Sequence, residues 1–253
     1  MRRPLYIVSI VSLLGLVLAM TPDAHAAELK VIAGGFMTGP LKEIVPAFEA
    51  ATGHKLSIHF GSTPNLIKQA TSGEPLDLAV VPVDLFKDAA ARARFVAGPT
   101  TDIARVGYGV IVRAGAAKPD IGTPDALKKA LLDAPSIAFV PTSAAGAYVS
   151  KVFDRLGITE EMKAKTKAVQ LPDQIAPAVA KGEAELGVFL INTLIAPDVD
   201  LVGPLPGELQ QELVFTAAVT ADSQQPEAAK AFIDYLTSPA ATAIIKARGM
   251  TPG

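Results

Sequence analysis

The sequence predicts an α/β protein of two lobes, each a parallel-rich sheet flanked by helices. Three observations carry that expectation. Short apolar runs alternate with helical patterns from residue 28 onward, small and hydroxyl residues stand at the strand-to-helix junctions, and the apolar runs are too many for one ordinary sheet. A single sheet of roughly ten strands would be large, whereas two sheets of about five have the usual size.

From Leu29 the rhythm is LKVIAG followed by a helix at Leu41 to Ala51, KLSIHF followed by Asn65 to Ser72, and DLAVV followed by Val83 to Ala93. Thr38-Gly39-Pro40 and Ser62-Thr63-Pro64 each set a capping-type residue before a proline suited to a first helical turn. Gly53 and Gly73 stop those helices. The middle continues with GYGVIVRAG, a helix from Asp125, SIAFV, a helix from Ala147 to Leu156, KAVQL, a helix through Val179 and ELGVFL. The last third returns through LVFTAAVT to helices at Glu227 to Leu236 and Ala240 to Ala247, parted by Ser238-Pro239. Two long strands, Arg105 to Arg113 and Val214 to Thr220, are expected to cross between the lobes. Lobe one then holds residues 28–104 plus 221–253 and lobe two residues 114–213, with hinge strands 105–113 and 214–220. The space between lobes is the expected place for a small ligand.

The chain opens with a secretory pattern over residues 1–26: Arg2 and Arg3, an apolar run from Leu5 to Met20, and Ala24-His25-Ala26 as a cleavage site. Pro22 and the small residues behind it follow too soon for a spanning helix of about 20 residues. Cleavage after Ala26 and a periplasmic location are expected. With no cysteine there is neither a disulfide nor a lipid-anchoring thiol, so stability must come from the core. A formal net charge of −2 argues against nucleic acid as a partner and requires local groups to hold any anion.

Three junctions supply such groups: Gly34-Gly35-Phe36-Met37-Thr38, Gly61-Ser62-Thr63 and Thr142-Ser143-Ala144-Ala145-Gly146. Each opens a helix, where first-turn N–H groups lack intrahelical partners and the helix dipole is positive. Hydroxyls add donors without a fixed charge to desolvate. Arg105, at the exit from lobe one, is expected to pair a carboxylate. Tyr148, beside the third loop, either donates its hydroxyl to the ligand or buries its ring. His54 and His59 read as turn and surface residues. No metal site, no cofactor and no catalytic residue is expected: His25 leaves with the leader, and neither G-x-S-x-G nor a phosphate loop occurs.

The runs VIAGGFMTGPLKEIVPAFEAATG, IHFGSTPNLIKQATSGEPLDLAVV, QIAPAVAKGEAELGVF and PEAAKAFIDYLTSPAATAIIKARGMTP resemble the periplasmic molybdate-binding proteins, a type II solute-binding family, over the whole mature chain. That resemblance implies two α/β lobes, a monomer, a small anionic ligand and the permease of an ABC importer as partner. It also implies ligand donors at Ser62, at the backbone of Ala145 and near Gln174. Phe36 stands where the family offers a serine and Leu190 where it offers a tyrosine, so two side-chain donors for molybdate are missing. Gly34-Gly35-Phe36, ARVGYGVIVRAGAAKPDI and Gly146-Ala147-Tyr148 are similar in detail to a branch that includes aconitate isomerases. An organic carboxylate is therefore the expected ligand, and a periplasmic isomerase of small tricarboxylates is the alternative function.

Overall fold

The computed structural model describes residues 26–97 and 100–253. The leader expected over residues 1–26 lies, but for Ala26, outside the described residues. Among those described, no helix is long and apolar enough to cross a membrane.

The first sheet grows from three parallel strands, β1 (Glu28–Gly34), β2 (Lys55–Gly61) and β3 (Leu78–Pro82), linked by helices α1 (Thr38–Thr52) and α2 (Thr63–Ala70). All five residues of β3 are buried, as a strand covered on both faces requires. After β3 the expected helix at Val83 to Ala93 is broken. A 3-10 turn at Val83–Lys87 gives way to α3 (Ala89–Ala93), because Asp88 turns its carboxylate back to accept from Ala91 N at 2.8 Å. β4 (Thr101–Val106) then enters this sheet, while β5 (Tyr108–Arg113) belongs to the second.

The second sheet adds β6 (Ile137–Phe139), β7 (Thr166–Ala168), β8 (Leu186–Leu190) and β9 (Val199–Pro204), with α4 (Pro124–Asp133), α5 (Ala144–Leu156), α6 (Thr159–Lys165), α7 (Ile175–Ala180) and the short α8 (Ile191–Leu194) between them. The chain then returns to the first sheet as β10 (Leu213–Val219), α9 (Pro226–Leu236), α10 (Pro239–Ala247) and β11 (Thr251–Pro252). The strand orders are β11-β4-β10-β3-β1-β2 and β7-β6-β8-β5-β9. One buried apolar cluster runs through both sheets, anchored by Phe48, Phe189, Phe215 and Phe232.

The joints differ in detail from the expected crossing strands. Residues 105–113 are two strands divided at Gly107, and β10 pairs along its length with β3 and β4 inside the first sheet. The return passage is the non-strand segment 205–212. Gln210 ties the two passages together: its Oε1 accepts from Tyr108 N at 2.8 Å and its Nε2 donates to Tyr108 O at 2.9 Å. A side chain on Gly107 would collide with that amide, its Cβ lying 2.8 Å from Gln210 Nε2. Gln210→Leu leaves the Tyr108 N–H without this acceptor, while Leu205 N still serves the carbonyl. The expected loss is about 1–3 kcal/mol in a denaturant titration.

His54 does more than close a turn, since its Nδ1 accepts from Ala27 N at 3.1 Å and holds the start of β1. Glu49, near the end of α1, accepts from Leu56 N and from Lys55 Nζ, both at 2.9 Å, and these contacts hold its carboxyl below the usual carboxylate range. A depressed folded pKa contributes stability above the unfolded value that is lost as pH falls through the folded one. Glu49→Gln should accordingly flatten the acid limb of a stability-versus-pH curve. Parallel limbs would contradict that role.

Candidate functional site

Loops of the two sheets meet over a cleft of about 460 Å³, lined by Gly35, Phe36, Thr38, Leu171, Asp173, Asn192, Thr193 and Arg248 among others. The first sheet supplies the junction between β1 and α1. A 3-10 turn at Gly35–Met37 leads into α1, and no side chain caps either start. Thr38 N already donates to Gly35 O and Pro40 has no N–H, so the uncapped N–H groups at this junction are those of the Gly35–Met37 turn. Phe36 lays its ring 6.5 Å from Phe189 of β8, edge to face, and its carbonyl accepts from Asn192 Nδ2 at 3.1 Å. These contacts, with the close approach of Gly249 to Ile195, bring the two sides together.

Arg248 ends α10 and reaches the cleft because α10 packs along α1, where its Nη2 pairs with Glu43. Nη1 lies 3.8 Å from where a Cβ on Gly39 would stand. Glu43 therefore occupies one side of the fork and leaves the other toward the Gly35–Pro40 wall. On the far wall, Gln174 Oε1 accepts from Gln170 N at 2.9 Å and Leu171 N at 3.1 Å, which fixes the loop carrying Leu171 and Asp173.

Of the residues expected to bind ligand, Gly35 and Phe36 line the cleft. Gly35 lies close to the Gly61 carbonyl, so the Ser62–Thr63 junction adjoins it. Ser62 makes no capping bond and is exposed, while Thr63 is half-buried. The other residues expected to bind ligand are engaged elsewhere in this structure. Arg105 is outside the cleft wall and pairs with Asp102 at 2.5 Å on its own strand. Ser143 spends its hydroxyl on the α5 cap, accepting from Gly146 N and donating to Val140 O, each at 2.9 Å. Ala145 and Gly146 are packed in that first turn. Tyr148 donates to Leu209 O at 2.9 Å and stacks 4.7 Å from Tyr108, where burial raises the Tyr108 hydroxyl far above its ordinary pKa. Gln174 supports the cleft loop through both its side chain and its backbone N–H, which donates to Leu171 O. Leu190 is fully buried in β8, and the cleft is lined instead by Asn192 and Thr193 just after it.

Sequence reasoning missed Arg248, Asn192 and Thr193 as site residues. Their only sequence signals are the Arg-Gly pair behind the last helix and the polar pair behind an apolar strand. A larger groove of about 690 Å³ lies elsewhere, lined by Val83, Phe86, Arg92, Phe95 and Val96. It carries a guanidinium, Arg92, but the helix start beside it is capped by the Asp88 carboxylate and no side-chain amide is among its described lining residues. Among the described residues, no group of three metal-ligating side chains occurs.

Two helix-covered sheets with a small mixed-polarity cleft between their loops define a receptor for a small solute. The model of the family described as bacterial extracellular solute-binding protein matches residues 29–251, and the chain belongs to that family. An aconitate isomerase from a Pseudomonas species is 34% identical over 247 residues, covering 94% of each chain. A molybdate-binding protein of Azotobacter vinelandii is 33% identical over 235 residues, covering 89% of this chain and 90% of that one. The solved periplasmic molybdate-binding protein of the same organism superimposes with a TM-score of 0.66 at 23% identity, covering 88% of this chain and 98% of its own. That likeness shows the fold. The expected α/β class with two sheets and the resemblance to molybdate-binding proteins are both borne out.

Proposed function

We propose that the protein captures a small organic di- or tricarboxylate in this cleft and delivers it to the permease of an ABC importer. The observation that carries the reading is the pairing, on one wall, of the Phe36 ring with the free side of the Arg248 guanidinium and an uncapped helix start. A carboxylate suits the guanidinium and the N–H groups, and a carbon skeleton suits the ring. The relatives that bind molybdate support anion capture as the shared theme.

The same reading includes a monomer that closes by bending at its two passages, Gly107 and 205–212. The lobes on either side follow the two sheets. It also includes export with cleavage after Ala26, two residues before β1 begins at Glu28. Calorimetric titration with tricarballylate, citrate and molybdate tests the ligand class: at least one carboxylate should bind tenfold or more tightly than molybdate. Molybdate heat without carboxylate heat would reverse the assignment. Saturation at 1,000 times the dissociation constant should stabilise the fold by about 4 kcal/mol.

A second reading, isomerisation of aconitate, is favoured by the 34% identity to an aconitate isomerase, with Asp173 as the carboxylate on the cleft wall that would serve as its base. Interconversion of cis- and trans-aconitate by the wild type, lost in Asp173→Asn, would select it. Binding without turnover would select transport.

A further inference from the structure

The polar side chains lining the cleft are Thr38, Asp173, Asn192, Thr193 and Arg248, and of these only Arg248 has a donor left for a ligand. Thr38 donates its hydroxyl proton to Gly35 O at 2.7 Å and Thr193 donates to Leu190 O at 2.8 Å, so both oxygens face a ligand with lone pairs alone. Asn192 donates Nδ2 to Phe36 O, and its Oδ1 is buried away from the cleft. Asp173 is exposed in the Pro172–Gln174 turn, and its carboxylate joins no ion pair among the described residues. The cleft is therefore polarised. The Arg248 guanidinium and the Gly35–Met37 N–H groups stand on one wall, and a free carboxylate with a hydroxyl acceptor stands on the other.

We propose that the solute carries a protonated amine beside its carboxylates, that this ammonium lies against Asp173 and Thr193 Oγ1, and that Asp173 separates an amino dicarboxylate from its plain counterpart. The inference rests on the carboxylate reading above and narrows it. A fully ionised dicarboxylate meets one guanidinium already shared with Glu43 and also faces the Asp173 carboxylate, so like charges stand uncompensated in the cleft. A ligand hydroxyl would satisfy the acceptors and leave that repulsion in place. An ammonium satisfies the same acceptors and cancels the charge. The two walls keep it and the guanidinium apart, each beside its own counter-charge.

Matched pairs test the proposal by calorimetry: aspartate against succinate and glutamate against glutarate, with malate as the hydroxyl counterpart of aspartate. The amino member of at least one pair should bind the wild type about tenfold or more tightly, the scale of a hydrogen bond to a charged group. Asp173→Asn should bring that ratio to about twofold or less from both sides, weakening the amino acid and strengthening the plain dicarboxylate. A variant that only loosened the loop would weaken both and keep the ratio. Equal or weaker binding of the amino member in both pairs overturns the proposal, as does a ratio that survives in Asp173→Asn. Malate binding more tightly than either amino acid overturns it too, and so does heat from citrate or tricarballylate with none from either amino acid. The wild-type comparison decides the matter even if the variant fails to fold. Molybdate binding with no heat from any carboxylate overturns the parent reading as well, which sets that failure apart from loss of the amine preference alone.

Discussion

Gly146→Ala is expected to destabilise the protein by about 3 kcal/mol or more, at the upper end of overpacking costs. A Cβ at this position would lie 1.7 Å from Val140 O, 2.6 Å from Val140 C and 3.0 Å from Pro141 Cα, so it meets backbone that no rotamer change can move. The first turn of α5 would have to lift away from the end of β6, breaking the Ser143 cap that donates to Val140 O and accepts from Gly146 N. For a chain of this size the loss should lower the melting temperature by roughly 6–12 °C. Gly39→Ala is the control, since its Cβ would meet nothing nearer than Arg248 Nη1 at 3.8 Å and it lies inside α1, where alanine is the better helix former. Equal melting temperatures for the two variants would contradict the close approach at Val140.

Arg248→Ala should weaken carboxylate binding by roughly 10–100-fold, as expected when a hydrogen bond to a charged group is lost, about 1.5–3 kcal/mol. Its pair with Glu43 is half exposed on both sides, at 47% and 43%, so removing it costs the fold little and the effect reports on the ligand. Arg105→Ala should leave affinity within about threefold, because that guanidinium pairs with Asp102 outside the cleft wall. Calorimetry on both variants, beside their melting curves, separates the two arginines. An Arg105 effect larger than the Arg248 effect would return the carboxylate to the expected hinge position.

Most of the architecture was legible in the sequence because local chemistry and global order agree in it. Apolar runs mark the strands, Ser-Thr-Pro and Thr-Gly-Pro mark helix starts, and Gly53 and Gly157 adopt the left-handed C-cap conformation. The break at Gly107 was hidden within an apolar strand pattern. It exists because Gln210, distant in sequence, fills the space beside that glycine and pairs with the next residue. Of the candidate cleft, the part legible in the sequence is the part that a single loop builds, at Gly35 and Phe36. Ser143 was correctly placed at a helix start, yet the same capping geometry that made it visible uses up its hydroxyl. Arg248 and Asn192 reach the cleft through the packing of α10 on α1 and through the turn behind β8, neither of which leaves a local pattern.

A crystal structure grown with the tightest-binding carboxylate tests the central claim most directly. The ligand should lie between Phe36 and Asn192, one carboxylate on Arg248 and the first-turn N–H groups of the Gly35–Met37 segment, with the two sheets closed over it. Density in the groove beside Val83 and Phe86, or a ligand held by Arg105 with Arg248 still bound only to Glu43, would contradict the account.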